Sequence, residues 1–237
     1  MGGERGWLDV PYSDKDEAKA LGARWDPRAK RWYAPGSRGK DLQRWAALPE
    51  VPDLLPGEDR AFGSGLFVDL VPRSCWFTNV RSCVDQRDWE RLRRMVIRRA
   101  GGRCEVCGRE EAREEHRWLE VHERWAYDAA NLVQSLRRLI CLCTDCHQVT
   151  HLGLAQVNGL LEQALSHLMT VTGLPESTVE DHVHAAFARW EERSRSFWTL
   201  DLAMLTDAGV TITGAPAAAE RDLLSRIDAL VDGEQPG

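Results

Sequence analysis

No stretch of this 237-residue chain approaches the roughly 18 consecutive apolar residues that a membrane-spanning helix needs. Its first residues, Met1-Gly2-Gly3-Glu4-Arg5, contain no apolar segment of the secretory kind, so no signal peptide is expected and the expected compartment is the cytoplasm. There are seven cysteines, an odd number, and without an export signal this argues against a disulfide framework. The chain also lacks a large charge of one sign. A net charge of −6 excludes a generic polyanion binder. No internal repeat is visible, which removes solenoid architectures.

What remains has the composition of an ordinary globular protein, with room for one large or two small cores. Charge is segregated along it. Residues 1–48 hold 10 basic and 7 acidic side chains, residues 81–103 hold 8 arginines against 3 acids, and residues 176–237 hold 5 basic against 12 acidic. Basic patches at the front and middle suit phosphate, and the acidic C-terminal part suits a protein partner.

The hydrophobic pattern predicts a short strand at 7–10 and a helix capped by Ser13 and stopped at Gly22. A hairpin follows, with aromatic arms, Trp25 and Trp32-Tyr33, and a basic tip, Arg28, Lys30 and Arg31. Prolines and glycines mark 49–66 as a connection, and 66–71 reads as a strand. A helix is expected over 86–100. Trp89, Leu92 and Val96 share one face, and Arg87, Arg91, Arg94 and Arg98 share the other. Further helices are expected at 154–171 and from the capping box Ser177-Glu180, then an amphipathic stretch through Leu223 and Leu230.

Cys104-Glu105-Val106-Cys107-Gly108 and Cys143-Thr144-Asp145-Cys146 are two CxxC pairs separated by 35 residues. Each tight turn aims two thiolates at one point, and four thiolates make a closed, structural zinc site. An iron–sulfur cluster is the alternative for such a set. Cys75, Cys83 and Cys141 lack partners at ligand spacing and read as small buried hydrophobes. Between the pairs, Trp118 to Trp125 alternates as a strand carrying His122 and Glu123. His147 follows the second pair, and His151 lies one helical turn beyond it, a spacing that can share one ion.

This arrangement over about 86–152 resembles the HNH endonuclease family. That family pairs a CxxC knuckle with a strand ending in Asp-His or His-His, an Asn, and a second knuckle followed by His on a helix. The resemblance implies a treble-clef, ββα-metal fold and hydrolysis of DNA phosphodiesters with structural zinc and a catalytic Mg2+, Mn2+ or other divalent ion. His122 and His147 take the metal positions, joined by His151. Glu123 stands where the family has its His base, and Arg138 stands where it has Asn, unless Asn131 fills that place. Arg138 is then read as a phosphate clamp.

Leu8-Asp9-Val10-Pro11-Tyr12, Lys15 to Asp26 and Lys30-Arg31-Trp32-Tyr33 resemble a second family, a small domain of unknown function of the DUF5710 type that accompanies primases and other plasmid or phage DNA-processing proteins. Trp25, Trp32 and Tyr33 either stack bases beside Arg28, Lys30 and Arg31 or form the core of so small a unit.

The expected molecule is α+β: a small αβ module over 1–48, a linker and strand segment over 49–85, a treble-clef zinc domain over 86–152, a helical extension over 153–213 and a tail over 214–237. Its expected function is that of an HNH-like nuclease binding DNA through Arg87, Arg91, Arg94, Arg98, Arg28, Lys30 and Arg31. The alternative is a zinc-stabilised nucleic-acid or protein adaptor without catalysis.

Overall fold

The structure is a computed structural model that describes residues 6–36, 40–76 and 78–214. The expected amphipathic stretch through Leu223 and Leu230 lies outside them. The fold is mixed α+β with two small three-stranded sheets, each over its own apolar cluster.

The first sheet has the order β1-β3-β2, from Gly6–Leu8 (β1), Arg24–Asp26 (β2) and Arg31–Ala34 (β3). Helix α1, Lys15–Ala20, buries Ala18 beneath it. The helix stops where Gly22 turns the chain at φ 97°, a conformation that a side chain resists. Asp14 rather than Ser13 occupies the position before the helix. The module's core is Leu8, Ala18, Ala23, Ala34, Leu42 and Trp45.

The expected strand at 66–71 is chain without strand pairing. Its amides find other partners: Val68 donates to the His182 ring and Asp69 to the Thr150 carbonyl. Short helix α2, Val80–Cys83, leads into α3, Gln86–Arg99, whose Asp85 cap accepts from Asp88 N. The second sheet is a long hairpin, Leu119–Asp128 (β4) and Val133–Cys143 (β5), with Thr199–Asp201 (β6) parallel to β5.

Helix α4, Thr144–Thr150, springs directly from β5, and α5, Leu152–Val157, continues past His151. The single helix expected over 154–171 is broken at Gly159, φ 72°, before α6 resumes at Leu161–Thr172. Helix α7, Glu176–Arg193, begins after Pro175 with no side-chain cap, so the Ser177 capping box is not used. Helix α8, Ala203–Thr206, ends the described order. Among the described residues no helix is long and apolar enough to cross a membrane.

The arginine row of α3 is turned toward the N-terminal module. Arg87 donates to the carbonyls of Arg44 and Ala46, and Arg91 to that of Pro49 and to Asp88. Arg94 reaches buried Asp9 at 2.7 Å, and Arg98 pairs with Glu50 and Asp53. All four guanidinium groups, expected to track phosphates, have partners within the protein. A helix face opposite one core is still covered when a second unit docks on it, and arginine's planar fork of donors suits carbonyl and carboxylate partners.

Candidate metal centres

Gly101 and Gly102, both at positive φ, end α3 and swing the chain back to Cys104. Gly108 N donates to the Cys104 carbonyl at 3.0 Å, closing the knuckle. The knuckle is tied to the hairpin twice: Glu105 N donates to the Cys141 carbonyl, and Cys141 N to the Glu105 carboxylate, each at 2.8 Å. The second pair comes from the strand-to-helix junction. Cys143 ends β5 and Cys146 lies in the first turn of α4.

The ligand atoms of Cys104, Cys107, Cys143 and Cys146 lie within 4.8 Å of one another. Cys107 Sγ and Cys143 Sγ are 3.5 Å apart, close to the edge, about 3.8 Å, of a tetrahedron with zinc–sulfur arms of roughly 2.3 Å. Hydrogen bonds from Cys143 and Cys146 lower the Cys104 thiol, and its thiolate in turn holds Cys143 up to about 12. Four thiols this close cannot all ionise without a cation, so the donor set fits a zinc ion. Helix α6 adds His167, whose Nε2 is 3.2 Å from Cys146 Sγ. Cys75, Cys83 and Cys141 are buried, as small hydrophobes are.

A second group lies on the other side of the same junction. His122 points from β4 toward α4, where His147 and His151 are one turn apart, and His151 N donates to the His147 carbonyl. The three rings meet edge to face, with centroids 4.6 to 5.4 Å apart, and one ring nitrogen from each lies within 4.8 Å of the others. His122 is 2% exposed, and neither of its nitrogens has a hydrogen-bond partner. Burial first, then the neighbouring positive charge of Arg124, lowers His147 to about 4. Burial, His147 and Arg124 lower His151 to about 3. Burial also pushes His122 well below its ordinary value. All three are neutral imidazoles at pH 7, the form that binds metals. Buried imidazole nitrogens without partners are costly, and a divalent ion would satisfy them.

Glu120 lies on the same strand face, two residues from His122. Its Oε2 is 3.2 Å from His147 Nδ1, and burial raises its pKa. The carboxylate expected here, Glu123, is on the opposite face. It accepts from Val80 N at 2.9 Å, at the start of α2. The alternation of strand side chains separates it from the histidines, so the structure does not place it as their base or ligand.

Arg138, expected as a phosphate clamp, is 6% exposed and is held by Glu105 at 3.1 Å and by the Phe62 carbonyl. Asn131 sits in the hairpin turn, bonded to Asp128. That turn begins six residues beyond the level of His122, about 20 Å along a strand, so Asn131 cannot serve the cluster. Of the basic tip, Arg28 and Lys30 are exposed, while Arg31 is bound to Asp9 and Glu50.

The comparisons with known proteins concern the N-terminal module. Residues 5–47 match a family described as a domain of unknown function (DUF5710). Two proteins of Escherichia coli named DNA primase TraC are each 50% identical over 44 residues, 18% of this chain. The match covers 3% and 4% of the length of those relatives. No solved structure matches the chain significantly.

Proposed function

We propose that this chain is an HNH-like, metal-dependent nuclease acting on DNA, built on a treble clef whose four cysteines hold structural zinc. The observation that carries this reading is the trio His122, His147 and His151, buried, neutral and converging beside a closed four-cysteine site. A second site is required because four thiolates leave no position for water. The trio has one, since three imidazoles fill three places of a catalytic coordination sphere. His122, His147 and His151 would hold a divalent ion, Mg2+, Mn2+ or another, which would supply Lewis acidity for water activation and for the leaving oxygen. Three imidazoles favour a transition ion over Mg2+, which prefers oxygen.

The chain's own residues have distinct parts. His122, His147 and His151 present lone pairs. Glu120 holds His147 through Nδ1, leaving Nε2 for the ion. It is also a carboxylate in direct contact with the trio, and its raised pKa brings it closer to neutral pH, where a base works best. The named primases that share the N-terminal module support DNA as the polymer.

A second reading has its own support. Glu123 and Arg138 are both turned away from the histidines. A chain without those groups suits a zinc-stabilised adaptor that binds nucleic acid or a protein without cutting.

Plasmid cleavage under Mg2+, Mn2+, Ni2+ or Co2+ separates the two. The nuclease reading expects cleavage by the wild type, none by His147→Ala, a loss on the order of a hundredfold for Glu120→Gln, and near-normal rates for Glu123→Gln. No cleavage with any ion, and no second metal equivalent on titration, would leave the adaptor.

A further inference from the structure

We propose that the N-terminal module carries a binding face for single-stranded DNA, formed by Tyr12, Trp25 and Trp32 with Lys19, Arg28 and Lys30. This holds whether or not the histidines carry a metal. The first observation is an aromatic surplus. The module's core closes with Leu8, Ala18, Ala23, Ala34, Leu42 and Trp45, and Trp25 is not part of it. Trp25 is instead 49% exposed, edge-on to Trp32 across the β2–β3 pair with ring centroids 5.4 Å apart. Tyr12, which opens the turn Tyr12–Asp14 leading into α1, is 76% exposed. Leaving large rings in water forgoes the burial that a small unit most needs.

The second observation is where the cations stand. The chain has four lysines, all within its first 40 residues, and its remaining basic side chains are arginines. Lys19 Nζ lies 5.8 Å from the Trp32 ring and Lys15 Nζ lies 3.8 Å from the Tyr12 ring. The hairpin tip is rigid. Asp26 Oδ1 accepts from Arg28 N and Ala29 N, and Lys30 is set in the left-handed region at φ 48°. Arg28 and Lys30 therefore project from a fixed turn at one end of the aromatic row, both exposed. Asp16 also lies on this side, where it is neutralised by Lys19 at 3.5 Å.

Exposed rings bordered by cations match a polymer that offers unstacked bases and phosphates together. A duplex hides its base faces in the stack and leaves Trp25 nothing to cover. The α3 arginines hold this module against the zinc-site half of the molecule, so a strand seated on it has a fixed relation to the rest.

The test uses the full chain and a labelled oligo-dT of about 20 nucleotides, followed by fluorescence anisotropy across a salt series, with a duplex of equal length as competitor. The single strand is expected to bind more tightly than the duplex. Trp25→Ala, with zinc content and circular dichroism unchanged, is expected to weaken single-strand binding about tenfold or more. The double variant Arg28→Gln, Lys30→Gln leaves the core untouched and is expected to lower the salt slope by about one. His147→Ala is expected to bind normally, so a failed nuclease does not mimic a failed platform. Equal binding of duplex and single strand, or affinity and salt slope unmoved by both the tryptophan and the tip variants, overturns the proposal. If Trp25→Ala does not fold, the tip variant and quenching of tryptophan fluorescence by oligo-dT decide it. A protein ligand bound through Trp25, with no DNA binding, also overturns it.

Discussion

Individual side chains of the histidine cluster show how burial sets chemistry. An isolated imidazole titrates near 6.5, whereas burial keeps His147 and His151 neutral down to about 4 and about 3. The unfolded chain therefore binds more protons than the fold as pH falls below about 6.5, and stability drops through that window until the folded values are reached. Urea unfolding of wild type and His151→Ala from pH 7 to 4.5 measures it. The variant is expected to lose less stability per pH unit. Equal slopes would mean that His151 titrates normally in the fold. The histidines were legible in the sequence by type and spacing. Glu120 carries no motif signal of its own, although strand alternation alone places it on the side of His122 and Glu123 on the other.

Among the elements, α3 departs most from expectation. Its two faces were readable from 3.6-residue periodicity, but what the basic face meets was not. Asp9 is the key contact: 3% exposed, its carboxylate is held by Arg94, Arg31 and Leu48 N. Asp9→Ala removes the carboxylate partner of Arg94 and one of the two that hold Arg31, and is expected to destabilise the protein by about 3 kcal/mol. It is also expected to expose the connection near Pro49 to proteases. Urea unfolding and limited proteolysis check both, and an unchanged digestion pattern would show that the row is not what docks the module. The 66–71 segment departs for a related reason. Its residues have strand propensity, yet they pair with no described strand, and His182 and Thr150 take up two of the amides instead.

At the scale of the whole molecule, the proposed zinc would make one long-range closure. The 35 residues between the CxxC pairs include the β4–β5 hairpin, and the same junction positions the three histidines. Cys143→Ser is expected to lower bound zinc and urea resistance together, because metal binding in such sites is folding free energy. Atomic absorption and an unfolding curve measure it, and a fully folded variant with unchanged metal content would refute the ligand set. By itself the sequence determined the four cysteines, the histidine trio, the aromatic hairpin and most helices, since each follows from local spacing, turn residues or the period of a single element. Only the tertiary structure decided that Glu120 of β4 reaches His147 of α4, that Arg138 is locked against Glu105, and that the arginine row joins two halves of one molecule. Those outcomes depend on which face of one element meets which face of another, and contacts between residues distant in the chain leave no periodic trace in it.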